Sequence, residues 1–228
     1  HFLLRRQRQM CIRDRSFAER MMQGELYSKS YYDTNPPLSM IIFIPPVWIS
    51  ELTGWPVYHV HFFYSLCWMA LSFTLTALLL KRLDFVENHV RHMLLMIFIL
   101  TQIFAPDRSI GDREHIIVLG LIPMLLTQFC ITKEIKLPAL LKYGSLIFGT
   151  LGVLIKPHYG IFPVLFLIDR LGVRKNLSIV KDPDFLSLSI GVIAYAAVMI
   201  LVFPDYLTVV MPDVVDLYVW QKHPLLSL

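Results

Sequence analysis

Residues 57–80 read VYHVHFFYSLCWMALSFTLTALLL, an apolar run that ends at Lys81 and Arg82. A helix needs about 20 mostly apolar residues to cross the hydrocarbon core of a bilayer, and this run is long enough. No charged residue interrupts it. The run therefore predicts a membrane-spanning helix, with lipid as the solvent for part of the chain.

Weaker segments of the same kind extend this prediction to an all-α, polytopic bundle over residues 57–204, with about six spanning helices. They cover residues 92–105, 116–132, 137–155, 159–168 and 185–203. The first reaches spanning length only if its helix begins near Asn88, and 159–168 is short. The 228-residue chain is 56% hydrophobic, whereas soluble domains are usually about 45–50% apolar.

The segment 39–52, SMIIFIPPVWISEL, is apolar but too short to span, and Pro45 and Pro46 interrupt it. We expect it to form short helices in the membrane interface, with a re-entrant path as the alternative. It would then belong to an extracytoplasmic loop made of residues 16–56.

The distribution of Lys and Arg predicts the orientation, because cytoplasmic loops of membrane proteins are enriched in both. Ten of these residues fall in the predicted cytoplasmic loops, and four in the opposite loops beyond residue 57. The cytoplasmic ones, including Arg170, are interpreted as basic anchors. The protein is expected in a bacterial inner membrane, with residues 16–56, 106–115, 156–159 and 204–228 on the extracytoplasmic face.

Residues 1–15 resemble a translated sequencing adapter. They hold five arginines and one acid, so the net charge of +4 comes from this segment alone. A basic signal-peptide start is the alternative, but residues 16–32 lack the apolar run that should follow it. We expect residues 1–15 to be non-native, the chain to be a fragment that is inactive alone, and residues 205–228 to be a truncated extracytoplasmic segment.

The first motif with potential chemistry is YYDTNPPL, residues 31–38. Its two prolines exclude helix and stiffen the chain, so Asp33 and Asn35 should lie on a fixed turn at the membrane surface. A carboxylate held there could act as a general base or orient a sugar hydroxyl, with Tyr32 and Asn35 as binding residues. An Asx turn before an interfacial helix is the structural alternative.

The second motif is DRSIGDREH, residues 107–115, in which six of nine residues are ionisable. It precedes a predicted spanning helix, whose N-terminus attracts anions. Arg113 presents a fork suited to phosphate, and Glu114 and His115 are candidates for acid–base work. A solvated, salt-bridged loop is the alternative.

The third motif is KPHY, residues 156–159, where Lys156 and His158 could bind a lipid phosphate. A lysine that snorkels to the interface is the alternative. His59 and His61 are interpreted as interfacial residues rather than ligands. The chain has no CxxC, HExxH, Walker or dinucleotide motif, and no residue is assigned as a metal ligand. We expect no cofactor and no nucleic-acid partner.

Two cysteines outside the N-terminal segment, Cys67 and Cys130, lie inside apolar runs. Neither has the spacing of a metal site. We expect both to be buried thiols that act as small hydrophobic side chains.

Residues 19–50 resemble the first extracytoplasmic loop of the GT-C glycosyltransferases of the family 39 type, such as the protein O-mannosyltransferases and the lipid A aminoarabinose transferase. The residues that carry the resemblance are Gly24, Tyr27, Asp33, Pro36, Pro37 and Leu38. GDREH at 111–115 and LIKPHYG at 154–160 resemble signatures of a bacterial, uncharacterised subgroup of that family.

This resemblance implies a GT-C-like fold, here truncated, and an inverting sugar transfer from a polyprenyl-phosphate donor to an acceptor at the outer face. A carboxylate would activate the acceptor, cations would stabilise the lipid phosphate, and no metal would be needed. The family's leading acidic motif would fall before or around Ser16, so Asp33 corresponds to a second acidic position of the loop.

Two other functions are open on the residues alone. A transporter or flippase of lipid-linked sugars should carry polar groups near the bilayer midplane, whereas the charges here sit at the helix ends. A membrane scaffold without chemistry predicts that Asp33, Arg113 and Lys156 do not come together.

Overall fold

The computed structural model describes residues 16–25, 27–30, 33, 35–106, 110–174 and 177–222, and every regular element within them is a helix. The short helices of the first part are α1 (16–22), α2 (Tyr27–Ser30), α3 (Leu38–Ile41) and α4 (Ile44–Thr53). The longer ones are α5 (Val57–Leu80), α6 (Asn88–Phe104), α7 (Arg113–Thr132), α8 (Ala139–Ile155), α9 (Ile161–Arg174), α10 (Pro183–Val202) and α11 (Met211–Lys222). Single 3₁₀ or π turns lie at Pro157–Gly160, Leu177–Lys181 and Tyr206–Val210.

Three helices, α5, α7 and α10, are long and apolar enough to cross a membrane, which indicates that the protein is membrane-associated. The other predicted spans are shorter: α6 and α8 have 17 residues each and α9 has 14. The prediction of an all-helical chain is confirmed for the described residues, and the number of six spans is not.

The apolar segment 39–52 forms short helices, as expected, and these are two in number, α3 and α4. Pro45 and Pro46 lie in the first turn of α4, where a missing N–H group costs nothing. The helix ends at Gly54, which has a positive φ of 70° and donates its N–H to the Ser50 carbonyl over 2.9 Å. With ten residues, α4 is too short to span.

The contact between α7 and α8 forms the centre of the bundle and depends on glycine. A methyl carbon on Gly120 would lie 2.8 Å from the Phe148 carbonyl oxygen, and one on Gly149 would lie 2.3 Å from Met124 Cβ. Small residues at such contacts let two helix backbones approach closely, which is how helices associate in lipid. Trp68 of α5 stacks on Phe148 of α8 with ring centroids 5.2 Å apart, in the same apolar cluster as Leu119 of α7.

A proline inside α7 is compensated by α5. Pro123 has no N–H group, so the Leu119 carbonyl one turn earlier lacks its usual helical partner. The buried Ser72 hydroxyl of α5 donates a hydrogen bond of 2.6 Å to that carbonyl oxygen. The two helices are therefore joined by a polar contact inside an apolar region, where an unpaired carbonyl would be costly.

The outer surface of the bundle is apolar. Only 6% of the most apolar window of α10 is buried, against 61% for α7. Large side chains such as Ile193 and Leu201 are exposed there, as lipid contact requires. Cys67, expected to be buried, is exposed on α5, while Cys130 is buried as predicted; the exposed face of an apolar helix holds a thiol without penalty.

Arg170 corrects the interpretation of the cytoplasmic loops as simple basic anchors. Its side chain is 2% exposed and forms an ion pair with Asp184 at the start of α10. A second carboxylate oxygen, Asp182 Oδ2, lies 3.2 Å from Arg170 Nη1, and Gln128 Nε2 of α7 donates to Asp184 over 2.8 Å. Two acids at the end of the predicted loop, Asp182 and Asp184, therefore hold this arginine inside the bundle and join α9 to α10, while Gln128 adds α7.

The Ser72–Leu119 contact predicts a non-additive effect on stability. Ser72→Ala should lower the free energy of unfolding by about 1–3 kcal/mol, because the Leu119 carbonyl is left without a donor. In a Pro123→Ala background a main-chain N–H becomes available to that carbonyl, and the same substitution should cost much less. Denaturant unfolding of the four proteins in detergent, followed by circular dichroism, measures the coupling. Additive costs would contradict this role for Ser72.

Candidate functional site

The turn that follows α2 meets the first turn of α7. Asp33 and Arg113 are 80 positions apart in sequence, yet Asp33 Oδ2 lies 3.9 Å from Arg113 Nη1. Both are buried, with exposed fractions of 4% and 5%. Arg113 Nη1 also lies 3.5 Å from the buried Ser39 hydroxyl at the start of α3. The structure thus brings the first two sequence motifs together as a buried carboxylate–guanidinium pair.

An Asx turn sets the direction of the Asp33 carboxylate. The Asn35 main-chain N–H donates to Asp33 Oδ1 over 2.7 Å, and the Asn35 side-chain amide donates to the same oxygen over 2.6 Å. This is the turn expected as the structural alternative. Since both bonds use Oδ1, the other oxygen faces Arg113, so the turn and the ion pair are parts of one arrangement.

Tyr27 holds the turn in place through a hydrogen bond to its main chain. Its hydroxyl donates to the Asn35 carbonyl over 2.5 Å, and its ring packs edge-to-face on Tyr206, with centroids 5.2 Å apart. Burial, and to a smaller extent the Asp33 charge, raises the pKa of Tyr27 well above its usual value, so the hydroxyl stays protonated and can donate. The Ser28 N–H donates to Asp205 Oδ2 over 2.9 Å. The segment after α10 therefore packs against the loop that carries Asp33.

The second and third motifs also meet. Lys156 Nζ forms an ion pair with Glu114 Oε1; the lysine side chain is 20% exposed and the glutamate 43%. Lys156 has extended backbone angles between α8 and the 3₁₀ turn at Pro157–Gly160, as expected before a proline. Because Arg113 and Glu114 are consecutive residues in the first turn of α7, the Asp33–Arg113 and Lys156–Glu114 pairs lie at the same end of that helix, and we call these four residues the charged cluster. The separation of Asp33 from Arg113 expected of a scaffold without chemistry is not observed.

His115 is placed to hold the turn before α7. The Gly111 N–H donates to His115 Nδ1 over 3.0 Å, which leaves the ring proton on Nε2 in the neutral form. Gly111 has a φ of 83°, and a methyl carbon there would lie 1.9 Å from Ser65 Oγ. The main chain before Arg113 is thus packed directly on α5, and His115 supports that placement.

His61 is a residue of this region that the sequence-based interpretation missed. The sequence predicts an interfacial position for it, as for His59, but it is 6% exposed and its ring lies against Phe43, with centroids 5.6 Å apart. Its Nε2 would be 3.0 Å from a methyl carbon on Gly111. The signal in the sequence is the spacing of His61 and Ser65, one helical turn apart on α5, which puts two small or polar groups on the face that meets Gly111.

Of the remaining predicted site residues, His158 is not part of this cluster. His158 is exposed, and its ring lies against Tyr159, with centroids 4.6 Å apart. Tyr32 and residues 107–109 lie outside the described residues. Within the described part of the chain, no group of three or more His, Cys, Asp or Glu side chains is arranged to hold a metal ion.

A groove of about 580 Å³ runs along the bundle beside the cluster, between α8 and α10. Its lining is apolar and extends along α10 from Pro183 to Val198. At the Val198 end, Leu38 and Tyr195 line it, and the Leu38 N–H donates to the Tyr195 hydroxyl over 3.1 Å. Tyr195 also packs against the apolar cluster that contains Tyr27, whose hydroxyl binds the Asn35 carbonyl, so this end of the groove lies near the turn that holds the carboxylate.

No protein-family model, curated protein or solved structure matches this chain.

The crowding at Gly111 predicts a specific loss of stability. Gly54 has a similar positive φ but nothing within 4 Å of the position of a methyl carbon. Gly54→Ala should therefore cost only the backbone strain, about 1–2 kcal/mol. Gly111→Ala should cost roughly a further 1–3 kcal/mol, because the methyl group collides with Ser65. Thermal unfolding of the detergent-solubilised variants compares them; equal costs would mean that Ser65 moves aside freely.

Proposed function

We propose that this protein is an integral membrane glycosyltransferase of the GT-C type, which moves a sugar from a polyprenyl-phosphate donor to an acceptor at the extracytoplasmic face of a bacterial inner membrane. The observation that carries the proposal is the buried pair of Asp33 and Arg113, whose side chains approach to 3.9 Å. Such a transfer needs a base for the acceptor and a cation for the departing phosphate, and this pair supplies both within one site.

In this proposal Asp33 accepts the proton of the acceptor hydroxyl as its oxygen attacks the anomeric carbon of the sugar. The bond between that carbon and the phosphate oxygen breaks, its electron pair leaves with the lipid phosphate, and the anomeric configuration inverts. Arg113 and Lys156 stabilise the charge that develops on the phosphate, Arg113 through its fork of donors. Asn35 directs the carboxylate through its two hydrogen bonds to Oδ1.

The positions of the other candidates suggest supporting functions. Glu114 pairs with Lys156, so it would hold that cation rather than exchange protons with substrate. His115 accepts a main-chain hydrogen bond from Gly111, so it would keep the loop before Arg113 in place. His158 would contact substrate at the edge of the site, and Tyr32 would bind substrate as the sequence motif suggests.

The lipid part of the donor fits the groove between α8 and α10. An apolar groove beside an exposed apolar helix is open to hydrocarbon chains, and its end at Leu38 and Tyr195 lies next to the turn that holds Asp33. A donor whose chain lies there would present its phosphate near Arg113. In the complete proposal the protein is multi-pass with about six spanning helices in a GT-C-like bundle, uses no metal or cofactor, and has the lipid-linked donor and membrane lipids as partners.

A flippase of lipid-linked sugars is the second candidate. The same groove favours it, because the lining follows α10 from its first residue, Pro183, to Val198 and so extends over most of the helix. A proteoliposome assay of lipid-linked sugar movement between leaflets, run beside an assay of sugar transfer, separates the two activities.

The transferase predicts the effects of two substitutions in the protein expressed from its complete gene and assayed in native membranes. Undecaprenyl-phosphate carrying labelled mannose, glucose or aminoarabinose serves as the donor, and label in endogenous acceptors is the product. Asp33→Asn should lower transfer by roughly 10²-fold or more, because the acceptor loses its base. Arg113→Ala should lower it by roughly 10²–10³-fold, because the phosphate loses its cation.

The matched controls are Asp84→Asn and Arg82→Ala, since both residues are exposed and lie in the turn after α5, at its opposite end from His61. They remove the same charges and should leave transfer unchanged. All proteins are quantified in the membrane fraction, so that a folding defect is not taken for lost chemistry. Full activity of both Asp33→Asn and Arg113→Ala would refute the assignment of the site.

A further inference from the structure

We propose that Asp33 and Arg113 restrain each other until a phosphate takes the guanidinium, so that donor binding releases the carboxylate that acts on the acceptor. The inference rests on the proposed function, and it adds an order of events: donor first, then activation of the acceptor. Its basis is that each cation of the cluster already faces a carboxylate, Arg113 with Asp33 and Lys156 with Glu114.

A carboxylate in this arrangement is poorly placed to act as a base. Oδ1 of Asp33 accepts two hydrogen bonds from Asn35, and Oδ2 is directed at Arg113. Both side chains are buried, so water screens their attraction little. An acceptor hydroxyl would therefore compete with a guanidinium for the same oxygen, and the cation wins that competition as long as it has no better anion.

A phosphate is the better anion for Arg113. It offers several oxygens to the guanidinium fork, which favours short, paired, charge-assisted hydrogen bonds. The present separation of 3.9 Å between Oδ2 and Nη1 is longer than such a bond. Arg113 can thus exchange a loose contact with Asp33 for closer contacts with the donor, and the Asn35 hydrogen bonds keep Asp33 in the site after the exchange.

The same exchange at Lys156 would have a different consequence. The Glu114 side chain is 43% exposed, so after losing Lys156 it can turn to water. Asp33 is held by its Asx turn and is 4% exposed, so its freed oxygen must face whatever enters the site. Only the exchange at Arg113 therefore couples donor binding to the activation of an acceptor.

The experiment measures how tightly the full chain, purified in nanodiscs, binds farnesyl phosphate, with farnesol as the probe of chain binding alone. Part of the wild-type population has Arg113 occupied by Asp33, which weakens the apparent affinity for an anion. Asp33→Asn removes this competitor, so farnesyl phosphate should bind about tenfold more tightly, with farnesol unchanged. Arg113→Gln should strongly reduce the preference for farnesyl phosphate over farnesol, because only Lys156 is left to bind the phosphate, and Asp84→Asn should match the wild type.

Each other outcome overturns a defined part of the proposal. Unchanged or weaker binding of farnesyl phosphate by a folded Asp33→Asn protein means that Asp33 supports Arg113 rather than competing for it, and the release is wrong. Tighter binding by Glu114→Gln but not by Asp33→Asn assigns the exchange to Lys156, which also overturns the release of Asp33. A wild type that binds farnesol and farnesyl phosphate equally overturns the phosphate site itself, and the proposed function with it.

A second measurement uses the wild-type protein and so does not depend on the folding of a variant. A water-soluble carbodiimide with a labelled amine modifies accessible carboxylates, and mass spectrometry locates the label. Farnesyl phosphate should increase labelling of Asp33 severalfold, while farnesol should not, and labelling of the exposed Asp84 should be constant. Protection of Asp33 by farnesyl phosphate, or no change, would contradict its release.

Discussion

α7 and α8 approach backbone to backbone because Gly120, Gly149 and Gly152 present no side chain at their contact. Lipid gives little hydrophobic drive to helix association, so close packing has to supply the contact energy. This packing fixes the end of α8 next to the beginning of α7, which is where Lys156 meets Glu114. Arg113, one residue earlier, is then turned toward the loop that carries Asp33. The geometry of the charged cluster therefore depends on three glycines elsewhere in the bundle, two of which face main-chain atoms and the third the Met124 side chain.

Both ends of α7 carry buried polar groups, while the helix between them is apolar. Arg113 faces Asp33 at one end, and Gln128 binds Asp184, the partner of Arg170, near the other. Buried ions are expensive unless they are paired and hydrogen-bonded, so each cluster can form only when the surrounding helices are in place. α7 is thereby held along its length by packing and at its ends by directional contacts. This arrangement suits a helix that must place one guanidinium accurately.

The sequence predicts the helices well and the pairing of side chains only in part. Apolar length alone located α5, α7 and α10, and the Pro45-Pro46 pair correctly indicated short helices in residues 39–52. The positive-inside pattern predicts a common face for Asp33, Arg113 and Lys156, and the structure pairs the first two. Counting basic residues could not reveal that Arg170 is buried. An arginine in a predicted loop looks the same in the sequence whether it is exposed at the membrane surface or paired with Asp184. His61 was missed for a related reason: its burial depends on Gly111, 50 positions later, whose lack of a side chain admits the ring.

The Asx turn at Asp33 and a catalytic role for the same residue are alternatives in the sequence, yet the structure makes them compatible. A turn that used both carboxylate oxygens would leave nothing for chemistry, and a carboxylate without a turn would lose its direction. Here the Asn35 main chain and side chain both bind Oδ1, so the local structure is satisfied by one oxygen while the other faces Arg113. A buried ion pair is a weak way to stabilise a fold, since apolar side chains of similar size often stabilise it as well or better. Because Oδ1 holds the carboxylate in place, Oδ2 can exchange Arg113 for another partner without the side chain leaving the site.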